Sequence, residues 1–196
     1  MTTNRLEAFS DAVLAIAITI MVLELHPPEE PSLRGLWEET GVPLLAYVLS
    51  FVYLGIYWNN HHHVFQLVDR VNGTVLWANL HLLFWLSLVP FTTNWMAETN
   101  LERTPTVAYG VNLLAAGGAY YVLEIAIGRM PGSGARYHEA VGSDLKGIAS
   151  MIAYLAGIAL TFVAPWLAMV PFVAVAVMWL VPDRRIEQFL DGELSR

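Results

Sequence analysis

The stretch that decides the fold is Arg5 to Leu25, RLEAFSDAVLAIAITIMVLEL. Residues 12–23 of this stretch carry no charge and are almost all apolar. Such a run predicts a membrane-spanning helix, because about 20 apolar residues cross the hydrocarbon layer of a bilayer. Charged residues stand at its edge, at Arg5 and Asp11. A charge in lipid costs about 2.5–3.5 kcal/mol, so we expect this helix to turn one side toward protein or water, and we predict that this side faces a pore.

The composition agrees with a membrane protein. Of the 196 residues, 56% are hydrophobic and only 14% are charged, whereas about 25% are charged in soluble domains. The seven Trp and eight Tyr fit aromatic belts at the two membrane surfaces. The chain has no cysteine, which excludes disulfides and thiolate metal sites, and its net charge of −7 argues against nucleic acid as a partner. We therefore predict an all-α membrane protein with a single domain over residues 1–196.

Apolar runs and turn residues divide the chain into six predicted transmembrane helices. Pro27 and Pro28 end the first helix, and Asn72-Gly73 marks a turn before the third. Pro90 falls inside the third helix and predicts a kink there. The predicted helices cover about residues 4–25, 42–63, 74–96, 105–127, 144–164 and 166–181.

The distribution of basic residues predicts the topology. Six helices put both termini on one side, and only Arg34 and Arg103 fall on the other side. The positive-inside rule therefore predicts that both termini are cytoplasmic. The opposite face is acidic, which predicts either a surface that gathers cations or an ordinary solvated loop surface. The basic residues on the side of the termini are Arg5, Arg70, Arg129, Arg136, Lys146, Arg184, Arg185 and Arg196.

An apolar stripe follows one side of the first helix. Ile16, Thr19, Ile20 and Leu23 are spaced by three, four and seven residues, so they share a helical face. The stripe has two interpretations. Apolar stripes usually pack against neighbouring helices, whereas on a pore-lining helix they form a constriction that closes by losing its water.

A polar motif stands before this stripe. It consists of Arg5, Phe9, Ser10 and Asp11. It is either helix-end chemistry, stabilised by the helix dipole, or the anchor of a buried network. Asp11 lies two turns inside a helix that begins near Asn4, and a buried carboxylate needs partners. The donors near the same membrane face on the second and third helices are Trp58, His61, His62 and Asn79.

Three consecutive histidines, His61, His62 and His63, raise the question of a metal site. Consecutive helical residues point about 100° apart, so three in a row do not converge on one ion. We predict no metal site here and expect one of the rings to take part in the network. Histidines also titrate near neutrality, so these residues could make the protein sensitive to pH.

At this point the residues resemble a known family. The motif Arg-x-x-x-Phe-Ser-Asp, the Ile/Leu-rich run after it and the stretch FWLSLVPF at residues 84–91 resemble the transmembrane protein 175 family of potassium channels, found in bacteria and endolysosomes. The resemblance covers the whole chain. It implies a six-helix unit that assembles as a homotetramer in the bacterial inner (plasma) membrane, with helix one lining a central pore. It implies K⁺ as the permeant ion and no cofactor.

The resemblance also implies roles for particular residues. The constriction would be formed by Ile16, Ile20 and Leu23. Thr19 falls where a family threonine is linked to cation preference, and Ala15 stands where some members have a serine, which leaves the degree of potassium selectivity open. No Thr-Val-Gly-Tyr-Gly carbonyl filter is present. The residues that would anchor helix one to its neighbours are Arg5, Phe9, Ser10, Asp11, Trp58, His62 and Asn79.

Two other functions were weighed against a passive cation channel. A secondary transporter or proton-coupled permease would need discontinuous helices around a midplane site, and Pro90 and Gly117-Gly118 are the only hints of these. An intramembrane enzyme would need a catalytic motif such as His-Glu-x-x-His or Gly-x-Ser-x-Gly, and the sequence has neither. We therefore predict a channel and not an enzyme.

Overall fold

The computed structural model describes residues 3–68, 70–132, 134 and 145–180. The regular structure of these residues is helical, and a short 3-10 turn at Pro165–Ala168 precedes the last helix. The α-helices are α1 Thr3–Leu23, α2 Leu33–Gln66, α3 Gly73–Ser87, α4 Val89–Glu98, α5 Arg103–Gly128, α6 Leu145–Leu160 and α7 Met169–Leu180.

Four stretches within the described ranges are long and apolar enough to cross a membrane. They are α1, α2, the consecutive pair α3 and α4, and α5. Two shorter apolar helical stretches follow, at 145–160 and 165–180. The described part of the chain is therefore all-helical, with several helices long and apolar enough to span a membrane, while the count of six spans and the side of the termini stay predictions. Residues 144 and 181, which bound the last two predicted helices, lie outside the described residues, as do Arg136, Arg184, Arg185 and Arg196.

The helix α2 is much longer than the predicted 42–63. It begins at Leu33 because Ser32 caps it, its side chain accepting a hydrogen bond from the Gly35 N–H at 2.9 Å. Glu38, predicted in a loop, lies in the second turn and pairs with Arg34 at 2.8 Å. Hydropathy alone missed these turns because they are polar, and capping and i,i+4 pairing define them instead.

The helix predicted at 74–96 is two helices. The chain breaks at Leu88, two residues before Pro90, and continues as α4. A proline at position 90 has no N–H for the carbonyl of Leu86, so a bend in this turn is expected. The predicted kink is thus found as a one-residue break at Leu88, whose N–H bonds to the Trp85 carbonyl at 3.2 Å.

The core consists of two clusters. The first joins α1, α2, α3 and α5 and includes Leu14, Leu54, Leu82 and Leu123. The second lies between α2, α5, α6 and α7. It is centred on aromatic side chains, and its largest members are Tyr53, Tyr109, Tyr154 and Phe172. The first cluster therefore fixes α1 on the rest of the protein.

Candidate pore helix and its polar anchor

The helix α1 has an inner and an outer face. Leu6, Ser10, Leu14, Ala17 and Met21 are buried at intervals of three or four residues, which defines the inner face. This face packs against α2, α3 and α4. In the most apolar segment of α1 only 28% of the residues are buried, whereas 39%, 44% and 50% are buried in the corresponding segments of the other three long stretches. Most of α1 is therefore left for contact with other subunits, lipid or water.

The predicted constriction residues lie on the outer face. Ile16 is 57% exposed, Ile20 43% and Leu23 78%. Phe9, two turns before Ile16, is exposed on the same side. These four large apolar side chains form a continuous exposed stripe along the helix, which packing within this chain does not cover.

Thr19 and Ala15 are also exposed. The Thr19 hydroxyl donates to the carbonyl oxygens of its own helix, to Ala15 at 2.6 Å and Ile16 at 3.0 Å. Threonine commonly bonds backwards in this way within helices. Because the hydroxyl hydrogen points into the helix, the lone pairs of the oxygen point away from it and are available to a water molecule or a cation.

A directional chain of hydrogen bonds anchors the inner face. His61 Nε2 donates to Asn79 Oδ1 at 2.8 Å, and Asn79 Nδ2 donates to Ser10 Oγ at 3.0 Å. The Ser10 hydroxyl then donates to the Leu6 carbonyl at 3.0 Å. Ser10, His61 and Asn79 are all buried. The chain joins α1, α2 and α3 at one point, and each polar atom in it has a partner.

The Asp11 carboxylate lies beside this chain, on the exposed side of α1. Trp58 Nε1 of α2 donates to Asp11 Oδ1 at 3.0 Å. Because Ser10 and Asp11 are consecutive, they point about 100° apart. The motif is thus divided into a buried serine and an exposed acid, and both contact α2 or α3.

The remaining predicted network residues lie elsewhere. Arg5 and Phe9 are exposed on the outer face. The ring of His62 is half exposed at the protein surface. Its Nδ1 lies 3.5 Å from the Glu7 carboxylate, and its Nε2 lies 2.8 Å from the Gln66 amide nitrogen. His61, and not the predicted His62, is the histidine that contacts Asn79. Spacing from Trp58 does not decide between the two rings, because residues three and four positions along a helix are both neighbours.

A groove of about 630 Å³ runs along the edge of the exposed stripe. Ile16 and Ile20 of α1 form one wall, and Phe91 and Trp95 of α4 form the other. At its end, Asn94 Nδ2 of α4 donates to Glu24 Oε2 at 3.3 Å, just after the last turn of α1. The position of α4 therefore bears directly on the outer half of α1.

Sequence reasoning gave no role to Asn94 or Asn112. Asn112 is buried in α5 opposite the break between α3 and α4. A buried amide in an apolar helix needs partners, and a proline-containing helix offers unpaired backbone groups. Both signals, the amide in α5 and the proline in α4, are present in the sequence. Only the packing of the helices shows that α5 lies against the break.

Comparisons with known proteins identify the family. The profile of the family described as "Endosomal/lysosomal potassium channel TMEM175" matches residues 5–90. A protein of Chryseobacterium sp. (strain P1-3) named as a potassium channel is 51% identical over 191 residues, which cover 97% of this chain and 98% of that protein. The chain belongs to the TMEM175 family.

Two further TMEM175 relatives show how far the similarity extends. The crystal structure of "a lysosomal potassium-selective channel TMEM175 homolog" from Chamaesiphon minutus superposes with a TM-score of 0.74 at 30% identity, over 91% of this chain and 96% of that one. The mouse protein, named an endosomal/lysosomal proton channel TMEM175, is 27% identical over 130 residues, 64% of this chain but 24% of the mouse protein.

Membership of the TMEM175 family decides the broad class. It places this protein among the passive ion channels of membranes and not among the enzymes. It also disfavours the transporter alternative.

Proposed function

We propose that this protein is a potassium-permeable channel whose pore is lined by α1 at the centre of a homotetramer. One observation carries the proposal. The helix that bears the family motif is the least buried of the four long stretches, and its outer stripe is apolar and uncovered. Four copies of such a face around an axis would form a narrow apolar passage.

In this proposal Ile16, Ile20 and Leu23 close the passage. They are successive large side chains on one face of α1, so four subunits would stack them as rings. Water leaves a narrow apolar ring readily, and ions leave with it because they need a hydration shell. Thr19, whose hydroxyl donates to its own helix and so leaves its lone pairs directed outward, would supply a polar position among these rings. Ala15 would leave space where other members place a hydroxyl.

The inner face explains how α1 keeps its orientation. The chain from His61 through Asn79 to Ser10 links α1 to α2 and α3 with directional bonds. A slip of one residue would rotate α1 by about 100° and bury Asp11 in place of Ser10. We infer that the motif sets the rotation of α1 and thereby the residues that face the pore.

The location follows from the same proposal. We place the channel in the bacterial inner (plasma) membrane with both termini in the cytoplasm, and the outer mouth then lies at the Leu23 end of α1. Glu24 follows Leu23 and is held by Asn94. The permeant ion is K⁺, and no cofactor is needed for passive conduction.

Replacing Ile16 by Asn tests the pore assignment. A polar amide wets the constriction, so we expect K⁺ current per tetramer to rise about tenfold, a barrier change of about 1.4 kcal/mol. The measurement is single-channel and macroscopic current after reconstitution into bilayers. The mass of the assembled protein in detergent tests whether four chains associate.

Val22→Asn is the matched control, because Val22 is exposed to a similar extent on another side of α1. We expect it to leave the K⁺ current close to that of the wild type. Unchanged current in Ile16→Asn, or an equal rise in both variants, would contradict a pore lined by the Ile16 stripe.

The mouse relative's name makes protons a second candidate ion. Ion flux into vesicles separates the two candidates when K⁺, Na⁺, Cs⁺ and H⁺ gradients are imposed in turn. We expect K⁺ to carry the largest flux and to do so without saturation. A flux carried by protons alone would show that the permeant ion is H⁺ and not K⁺. Saturable uptake against a gradient would favour the transporter alternative.

A further inference from the structure

The break between α3 and α4 is filled by a side chain from α5. In a continuous helix the N–H of Val89 would bond to the carbonyl of Trp85, four residues earlier. Here the Asn112 amide stands between these two groups. Its Nδ2 lies 3.0 Å from the Trp85 oxygen and its Oδ1 lies 3.3 Å from the Val89 nitrogen.

The orientation of the amide follows from its partners. With Nδ2 toward Trp85, Oδ1 accepts both from the Val89 N–H and from the Thr92 hydroxyl, at 3.2 Å. In the opposite orientation Nδ2 reaches only the Thr92 hydroxyl. The first orientation gives the Val89 N–H an acceptor and gives the Trp85 carbonyl, which already accepts from the Leu88 N–H at 3.2 Å, a second donor. Assignment by hydrogen-bond partners is the accepted criterion for amides.

Proline alone does not account for the break. Pro90 removes the bond to the Leu86 carbonyl, whereas the pair formed by Trp85 and Val89 lies one step earlier in the ladder. A side chain inserted into the ladder is an independent cause of sharp helix kinks. Asn112 is 3% exposed, so its amide needs partners within the protein. The geometry of the break is therefore set jointly by Pro90 and by a residue of another helix.

The consequences reach α1 through α4. The helix α4 carries Asn94, which bonds to Glu24, and Phe91 and Trp95, which form the wall of the groove beside Ile16 and Ile20. A change in the angle between α3 and α4 moves this wall relative to α1. The Asn112 amide lies at the pivot of that movement.

We propose that Asn112 is a positioning residue for channel opening. It clamps the α3–α4 break and so fixes the support that α4 gives to the outer half of α1. This inference rests on the proposed pore function. It adds that the equilibrium between closed and open states depends on a buried amide that does not line the pore.

The test replaces Asn112 by Leu and measures open probability per assembled tetramer in bilayers. Without the amide the break loses its clamp, and we expect the open probability to change about fivefold or more. Thr106→Val is the matched control. Thr106 is buried on the same helix, and its hydroxyl donates to the carbonyl of Glu102, the N-cap residue of α5. We expect this control to keep the wild-type open probability.

A double variant separates positioning from general damage. In Pro90→Ala combined with Asn112→Leu, the backbone N–H groups at 89 and 90 are both free to close a continuous helix. We expect the effects of the two substitutions on open probability to be strongly non-additive, with coupling of about fivefold. Additive effects, or an Asn112→Leu channel that opens as the wild type does, would overturn the inference.

Other outcomes distinguish a failure of the Asn112 clamp from a failure of the proposed pore. If Asn112→Leu does not assemble, Asn112→Ser replaces it, because a serine hydroxyl is too short to bridge Trp85 and Val89. A wild-type open probability in Asn112→Ser overturns the clamp. If Ile16→Asn leaves the current unchanged, the proposed pore has failed. If Ile16→Asn raises the current while Asn112→Leu changes nothing, only the role of Asn112 has failed.

Discussion

At the scale of single residues, Ser10 explains why the motif contains a small hydroxyl residue. It is fully buried, it accepts from Asn79 and it donates to Leu6. An alanine there would leave the Asn79 amide without an acceptor, and a larger residue would push α1 away from α3. Asp11, one residue later, reaches the indole of Trp58 instead. Two adjacent residues thus bind two different helices.

Substitution of Asn79 by Leu tests this network. The change removes the amide that bridges Ser10 and His61, so both buried side chains lose their hydrogen bond to residue 79. An unsatisfied buried polar group costs about 1–3 kcal/mol, so we expect a lower midpoint of thermal unfolding in detergent and a smaller yield of assembled channel.

Asn59→Leu makes the same chemical change on α2, where Asn59 is only half-buried. We expect its unfolding midpoint to stay near that of the wild type. If Asn79→Leu were as stable as Asn59→Leu, the network would not hold α1 in place.

At the scale of helices, the close approach of α6 and α7 depends on Gly157. A Cβ atom at this position would clash with Cε1 of Phe172 and would lie 3.0 Å from Cδ1 and Cζ of the same ring. Phe172 is fully buried, and the rings of Tyr109 and Tyr154 lie 5.8 Å and 6.3 Å from its own. The ring therefore has no free space to move into. The absence of a side chain at Gly157 is what allows the two helices to pack.

Two glycine-to-alanine substitutions should have opposite effects on stability. In a helix, alanine is favoured over glycine by about 0.5–1 kcal/mol. At Gly55 of α2 a Cβ atom meets nothing within 4 Å, so Gly55→Ala should be stabilising. At Gly157 overpacking costs about 1–3 kcal/mol, which exceeds the gain, so Gly157→Ala should be destabilising. Thermal unfolding in detergent compares them, and the same sign for both would contradict the packing between α6 and α7.

At the scale of the whole molecule, the sequence predicted the apolar helices better than their interruptions. The first helix, predicted at 4–25, is found at Thr3–Leu23 because its apolar run and the prolines after it are local signals. The start of α2 depends on the cap at Ser32, and the break at Leu88 combines Pro90 with a contact from Asn112 of α5. The contact of Asn112 with the break joins distant segments of the chain, and hydropathy along the chain contains no information about it.

The site shows the same limit. Spacing along α1 placed Ile16, Ile20 and Leu23 on one face, because this inference needs only helical geometry. The order of the helices placed Asn79 at the same membrane face as the motif, as a possible donor to Asp11. The choice between His61 and His62 needs the rotation of α2 against α3, which long-range packing sets. The surroundings of the outer face of α1 are a property of the assembly and not of the single chain. That this face lines a pore is the central claim.

The most direct test of that claim uses the absence of cysteine from the chain. A single Leu23→Cys substitution introduces the only thiol on the proposed pore stripe, and Val22→Cys introduces one about 100° around the helix. A positively charged, water-soluble methanethiosulfonate is added to the outer side while K⁺ current is recorded. We expect the current to fall in Leu23→Cys and to persist in Val22→Cys. A current that persists in Leu23→Cys, or falls only in Val22→Cys, would contradict a pore lined by this face of α1.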